Sequence, residues 1–499
     1  MNRKYVIFGL VALALLMSSI DNTIVAVGLP AMRTGLHTSI VLIGWTITIY
    51  QLGQLLVLPL AGKLSDELGR KRIFLGSIAI FTGASFLCGI APNVYLLIIF
   101  RLLQAIGGGA FLPSCTGIIS DTFQEKRGQA IGLFSSIFPI GGVIGPNIGG
   151  ILIDHLSWRF IFYVNVPIGI AVLILTAYLY HTKQETHGSS HIDFVGVALY
   201  GSGITTLLLD LTWLGQSPRG ATHSPLLWLS MAGAAALFWL WYRHENRTAE
   251  PMVDMTLLKY RPFLAANGYN FLFGAGVFGF TAFLPTYAEL HYHMSATLAG
   301  ALLTPRAVIM ICTSTIASFF LIRFGYRLPM ILGVSFASLS LFLTSLGKEN
   351  LVLLGLHISN FVYLGAVIAI LGLGFGLSAP ASNNAALDIM PGKVAAVTGI
   401  RGMFRQTGGI LGTAMTVFVI SLYRDESQGL QVVFFSLAIV LLLIIPVVFL
   451  IPDTARQRRR NVDHQAGQSD RTSAQDVSPH LNPLPNPPTP FPKQGRGSK

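Results

Sequence analysis

Long apolar runs, separated by short clusters of charged and turn-forming residues, recur along nearly the whole chain. A helix needs ~20 mostly apolar residues to cross the ~30 Å hydrocarbon layer. Runs of that kind predict fourteen spans: Tyr5–Leu29, Ile40–Leu60, Ile73–Ala91, Val94–Ile118, Gly128–Ile153, Phe160–Tyr180, Phe194–Leu214, Leu226–Tyr242, Phe263–Ala288, Thr297–Ile322, Leu328–Leu346, Leu351–Leu377, Val394–Leu422 and Val432–Ile451. The eighth is the shortest. The first is too long for a signal peptide, contains Asp21 and lacks an Ala-x-Ala site, so it reads as a retained span. Beyond Ile451 the periodicity stops; residues 452–499 hold 8 of the 25 prolines and read as a disordered cytoplasmic tail.

Composition agrees with the pattern. Only 11% of the 499 residues are Asp, Glu, Lys or Arg, against about 25% in a soluble globular chain. So few charges cannot cover a water-facing surface of this size, and the expected class is an all-α polytopic membrane protein. The net charge of +12 is scattered between apolar runs with no continuous basic face, which argues against nucleic acid. Its distribution fits topology instead. With the N-terminus inside, the inner segments hold 24 of the 33 Lys and Arg and the outer loops five. That bias places both termini in the cytoplasm of a multi-pass protein of the cell membrane. Cys88, Cys115 and Cys312 lie in apolar stretches without ligand-like spacing, so neither a disulfide framework nor a metal site is expected.

Sliding the chain on itself by 267 residues aligns nine identities in 39 positions, among them Gly107 with Gly374, Pro113 with Pro380, Asp121 with Asp388, and Gly141, Gly142 and Gly145 with Gly408, Gly409 and Gly412. Spans four and five thereby fall on spans twelve and thirteen, an offset of eight. Parallel six-span halves with substrate handled between them are one transporter plan, and the offset leaves the seventh and eighth spans as an insertion. The expected division is 1–182, 183–261, 262–451 and the tail 452–499.

Charges stranded inside apolar runs nominate the chemistry. An arginine within a span costs at least ~2.5 kcal/mol to insert, so Arg101, with Gln104 and Gly108 on following turns, is expected to face a polar interior and hold a partner. Asp21 lies toward the outer half of the first span, and burial disfavours a charged carboxylate. It is the candidate to gain and lose a proton. Gly62, Asp66, Gly69, Arg70, Lys71 and Arg72 form a predicted loop between spans two and three, where Asp66 would latch onto basic groups or a helix N-terminus. Gly141, Gly145, Pro146, Gly149 and Gly150 offer small-residue faces on span five, permitting close helix approach. Asp210 and Glu289 are weaker candidates at outer span ends, and His181, His187 and His191 read as solvated loop residues.

These stretches resemble the major facilitator superfamily. The loop from Gly62 to Arg72 is similar to its best-known signature, Arg101 with Gln104 to its fourth-span motif, and the Gly141–Gly150 stretch to the motif that marks its antiporters. Asp21–Asn22–Thr23 with Pro30, the stretch Trp45 to Tyr50, Trp158 to Pro167, and Asp193 with Gly196 resemble the fourteen-span drug:proton antiporters of the EmrB/QacA type. Gly28 and Asn147, at usually bulkier positions, and the lack of an acid in span ten are departures. The second half keeps only Arg323, Gly325 and Arg327 of the loop signature, and its position equivalent to Arg101 is Ile368.

The resemblance implies a major facilitator fold of two six-helix halves plus two inserted helices. It also implies a proton-coupled antiporter exporting small amphipathic compounds or drugs by alternating access. Asp21, Arg101 and Gln104 would couple protons, and Gly62, Asp66, Gly69, Arg70 and Lys71 would gate. The expected partners are a small-molecule substrate, protons and the lipid bilayer; no cofactor, metal or catalytic residue is expected, and nothing names an accessory efflux protein. One alternative is an importer or uniporter of a small metabolite on the same fold. Another, of a different class, is a polytopic membrane enzyme, though the paired acids or phosphate loop it would need are not evident.

Overall fold

With no water in the hydrocarbon layer to satisfy them, backbone N–H and C=O groups must pair within the segment that crosses. The computed structural model describes residues 3–179, 193–353, 355–390 and 394–453, and helices occupy every predicted run. Thirteen helices among the described residues are long and apolar enough to cross a membrane. The predicted run at 394–422 is also a helix, Val394–Ser421, but Arg401, Arg405 and Gln406 dilute its apolar content below that standard. The histidines at 181, 187 and 191, the expected boundary at 182/183 and the tail from 454 onward lie outside the described residues.

Two boundaries differ from expectation. Glycine spacing suggested a loop from Gly62 to Arg72, yet the second helix continues through Ile40–Leu68 and the third begins at Arg70. Gly69 alone makes the turn, at φ 93° and ψ 130°, a left-handed region that only glycine enters without steric cost. Gly62 and Asp66 are therefore helical, and the side chain of Asp66 lies outside what is described. The twelfth span starts later than Leu351. Val352–Leu353 pairs with Leu356–His357 in a short antiparallel hairpin, and the helix Asn360–Ile389 follows, its first turn capped by the Ser359 hydroxyl, which accepts the Val362 N–H at 3.4 Å.

The helices pack as two related sets. In the first half, span one (Arg3–Gly35) lies along the longer segment of span five (Ile137–His155); in the second, span nine (Arg261–Tyr292) lies along span thirteen (Val394–Ser421). The halves meet where span two crosses span thirteen and where span five crosses span ten, itself broken into Ala296–Ala301 and Leu303–Phe324. The inserted spans seven (Phe194–Gln216) and eight (Pro225–Glu245) pack on each other, and span seven also touches spans two and thirteen. Trp45 Nε1 donates to Thr212 Oγ1 at 2.8 Å and Tyr200 OH sits 2.6 Å from Thr407 Oγ1, so span seven is hydrogen-bonded to both halves.

The apolar core is asymmetric across the membrane. One buried cluster joins Ile24, Leu29, Ile43 and Phe162, on the side opposite the N-terminus, to Phe280, Phe283, Ile410 and Phe434 of the second half. On the N-terminal side, Val11, Phe74, Phe81, Phe111 and Phe134 form a cluster of the first half alone. The halves are thus sealed together on the far side.

Candidate functional site

Asp21, in the middle of span one, has no solvent-exposed surface, and Arg101 on span four (Val94–Gly109) is 1% exposed. Arg101 Nη1 donates to Asp21 Oδ2 at 2.7 Å and to Gln104 Oε1 at 2.6 Å. Gln104 Nε2 donates to Asp21 Oδ1 at 2.8 Å and to Ser85 Oγ at 2.8 Å, and Asn165 Nδ2 reaches the same Asp21 oxygen at 2.9 Å. Arg101 Nε donates to the Thr46 carbonyl at 3.1 Å, and its guanidinium carbon lies 3.9 Å from the centroid of the Tyr50 ring. Four neighbouring helices thus converge on one carboxylate and one guanidinium. In a low-dielectric interior such a pair holds only if its remaining donors and acceptors are satisfied, and this one largely is.

Arg101 and Gln104 share a helix face because they are three residues apart. Asn165 was not singled out as a site residue, although the stretch Trp158 to Pro167 was noted. It sits in span six just after a turn at Val164, between Phe160–Tyr163 and Asn165–Leu179.

The glycines of span five face two ways. Gly141, Gly145 and Gly149, at intervals of four, pack on Ser19 to Ile24 of span one; a methyl group on Gly145 would stand 2.8 Å from the Ile20 carbonyl oxygen. Pro146 and Gly150 turn to the other half. A methyl on Gly150 would lie 2.5 Å from the Ala296 carbonyl oxygen, so only glycine allows this crossing of spans five and ten. Asn147, a departure from the family pattern, donates to Thr304 Oγ1 across the same crossing at 2.7 Å. At its far end Asp154 accepts the N–H groups of Ala296 and Thr297 at 3.2 and 2.8 Å, capping span ten from the opposite half. A carboxylate there also meets the positive end of the helix dipole. Arg33, near the end of span one, pairs with Glu426 at the start of span fourteen.

On the N-terminal side the turn residues bind within their own half. Arg70 pairs with Asp121 at 2.6 Å and donates to the Gly117 carbonyl, both on the inner segment of span four (Phe111–Thr122), while Lys71 Nζ reaches the Ala177 carbonyl of span six at 3.2 Å. Asp210, expected to be a solvated boundary charge, is buried and accepts the Ser230 hydroxyl at 2.5 Å, joining spans seven and eight. Glu289 Oε1 is buried without a hydrogen-bond partner. No group of His, Cys, Asp and Glu among the described residues is arranged to hold a metal ion.

Related helical halves, a buried ion pair within one and a sealed crossing on one side define a multi-pass membrane transporter. The sequence pattern of the Major Facilitator Superfamily matches residues 11–413 and, in a second register, 268–491, and the chain belongs to that superfamily. It is 33% identical over 418 residues to the multidrug transporter protein MdtP of Bacillus subtilis, covering 83% of this chain and 74% of that one. It is 29% identical over 428 residues to a multidrug resistance protein B homolog of Mycobacterium tuberculosis, covering 84% and 77%. The fold also matches the crystal structure of the nucleoside transporter NupG with a TM-score of 0.66 at 15% identity, over 90% of this chain and 99% of that one.

Proposed function

We propose that the protein is a proton-driven exporter of small amphipathic compounds, of the fourteen-span drug:proton antiporter type, in the cell membrane with both termini cytoplasmic. The observation that carries this reading is the buried Asp21–Arg101 pair with its Gln104 and Asn165 donors, in a chain related to multidrug transporters. The seal lies on the side opposite the N-terminus, which on this topology is the outer face. The structure then corresponds to a chamber closed to the outside.

Protonating Asp21 removes half of the ion pair and frees Arg101 to move; losing the proton restores the pair. A cycle follows in which a proton taken from outside favours the inward-facing arrangement, and its release inside, with the ionised pair re-formed, prepares outward passage of substrate. The Arg70–Asp121 and Lys71–Ala177 contacts would hold the inner ends of spans three, four and six together during rocking, and the Asp154 cap and Gly150 crossing would part when the outer side opens. Whether an accessory protein takes part is separate from this cycle.

The test is efflux from energised vesicles under an imposed pH difference. Asp21→Asn is expected to abolish uphill, pH-driven transport while leaving exchange down a substrate gradient measurable. Uphill pumping by that variant would remove Asp21 from the coupling step. Uptake with the proton gradient in the unmodified protein would favour the importer reading.

A further inference from the structure

The second half buries cations that no acid in the described residues neutralises. Arg401, 6% exposed, donates from one Nη to Ser382 Oγ at 3.0 Å, while its other Nη has no partner; Arg306 Nε is likewise unpartnered. Among the described residues, no ion pair includes Arg306, Arg401 or Arg405. An arginine in the hydrocarbon layer is costly unless it faces a polar space and has a counter-charge. Asp21 cannot supply one, since its oxygens already serve Arg101, Gln104 and Asn165.

Arg401 and Arg405 lie one helical turn apart on one face of span thirteen, and Arg405 and Tyr269 are within electrostatic reach of Arg401. The Arg405 side chain is exposed although its helix is packed against spans two, seven, nine and fourteen. The next residue, Gln406, reaches span two, so Arg405 is exposed beside the contact between the halves. Counted from Val394, the two arginines sit ~10 and ~16 Å into the span, on the side that is not sealed. Beside them lies an aromatic cluster in which Tyr269 and Phe273 are buried and Phe375 is partly exposed. Tyr269 stacks on Phe273 at 5.8 Å, Phe273 meets Phe375 at 5.4 Å, and the Arg405 carbonyl abuts Gly274. The first half presents neutral amides nearby: Asn22 donates to Gln54, and Gln406 of span thirteen donates to the Gln51 carbonyl.

We infer that the Arg401–Arg405 face is an anion subsite of the transport chamber, and that the exported compound carries a carboxylate, sulfonate or phosphate on an aromatic body. The inference rests on the exporter reading and supplies its substrate class. Guanidinium forks match such oxyanions with paired N–H donors, the partly exposed Phe375 ring offers an apolar contact, and the bound anion provides the missing counter-charge.

Binding and flux are read separately. Full-length protein in phosphatidylcholine discs is titrated with carboxyfluorescein and with ethidium. Carboxyfluorescein is expected to bind more tightly, and more weakly as salt rises. Arg405→Gln, at a side chain with no bond among the described residues, should weaken it about tenfold. Arg401→Gln should do likewise, with Arg401→Lys retaining most of the affinity. Tighter ethidium binding, or carboxyfluorescein affinity unchanged in both glutamine variants, overturns the subsite. Loss of carboxyfluorescein binding when phosphatidylglycerol is added makes a lipid headgroup the occupant and overturns the substrate assignment. Proton-driven flux in vesicles then tests the exporter reading itself: arginine-dependent anion binding without flux supports the subsite and removes the exporter.

Discussion

The two halves share a backbone plan and divide the charge between them unequally. Span one packs on the glycines of span five, and span nine on the repeat-related Gly408 and Gly412 of span thirteen. Asp121 and Asp388 occupy equivalent positions near inner helix ends, and Gly69 and Gly325 both turn the chain with positive φ, 93° and 77°. Yet Asp121 receives Arg70, whereas Asp388 accepts the neutral Tyr326 hydroxyl at 2.7 Å. The first half buries Arg101 against Asp21; the second has fully buried Ile368 at the equivalent place and carries Arg401 and Arg405 elsewhere, with no acid paired to them among the described residues. Repetition preserves what close packing needs, while charge, which is expensive in the membrane, is kept only where each half uses it.

The largest expected effect comes from breaking the paired half. Arg101→Met leaves Asp21 without its counter-ion and should cost about 3–5 kcal/mol of stability, read as the midpoint of thermal denaturation in detergent. Arg401→Met removes an unpaired cation and should change the same midpoint little or raise it. Equal losses in the two variants would show that the halves do not differ in this way.

A smaller contrast is expected at the inner turns. Arg70→Gln removes its contacts with Asp121 and the Gly117 carbonyl, Tyr326→Phe its hydroxyl bond to the Asp388 carboxylate, each contact worth about 0.5–1.5 kcal/mol at these partly exposed helix ends. Hydrogen exchange of the backbone around 117–121 and around 384–389 would report each loosening locally; a larger loss at the second turn would reverse the reading. The smallest effect belongs to Arg33→Gln at the rim, where both partners of the Arg33–Glu426 pair are partly exposed. Such pairs contribute about 0–1 kcal/mol. Cross-linking rates between the outer ends of spans one and fourteen should rise or fall less than twofold, and a larger change would make this pair a principal outer latch.

Much of the architecture was legible in one dimension. Hydropathy located the long helices, because a crossing segment must be apolar for about its whole length, and the 267-residue repeat set spans four and five over spans twelve and thirteen. The errors fall where local signals mislead. Gly62 looked like a turn residue but sits within a helix, since in lipid the helix satisfies the backbone better than a loop. Val352 and Leu353 looked like membrane helix but form a hairpin before the Ser359 cap. Asp21, Arg101 and Gln104 could be nominated because charged and amide groups are scarce in spans; Asn165 could not, since one asparagine in an apolar run carries no partner's address.

The sequence by itself determined that this is a helical membrane protein, how its crossings are ordered, which charges are stranded among them, and which superfamily it resembles. Only the tertiary structure decided which stranded charges meet. Asp21 and Arg101 are 80 residues apart, and Asp21 and Asn165 are 144; their contact depends on the angles at which four helices cross. It also decided that the span-five glycines serve two neighbours, and that Arg401 and Arg405 have no acid paired to them among the described residues. Hydropathy measures the cost of leaving water residue by residue, whereas an ion pair, a close crossing or an uncompensated cation is a property of several helices at once.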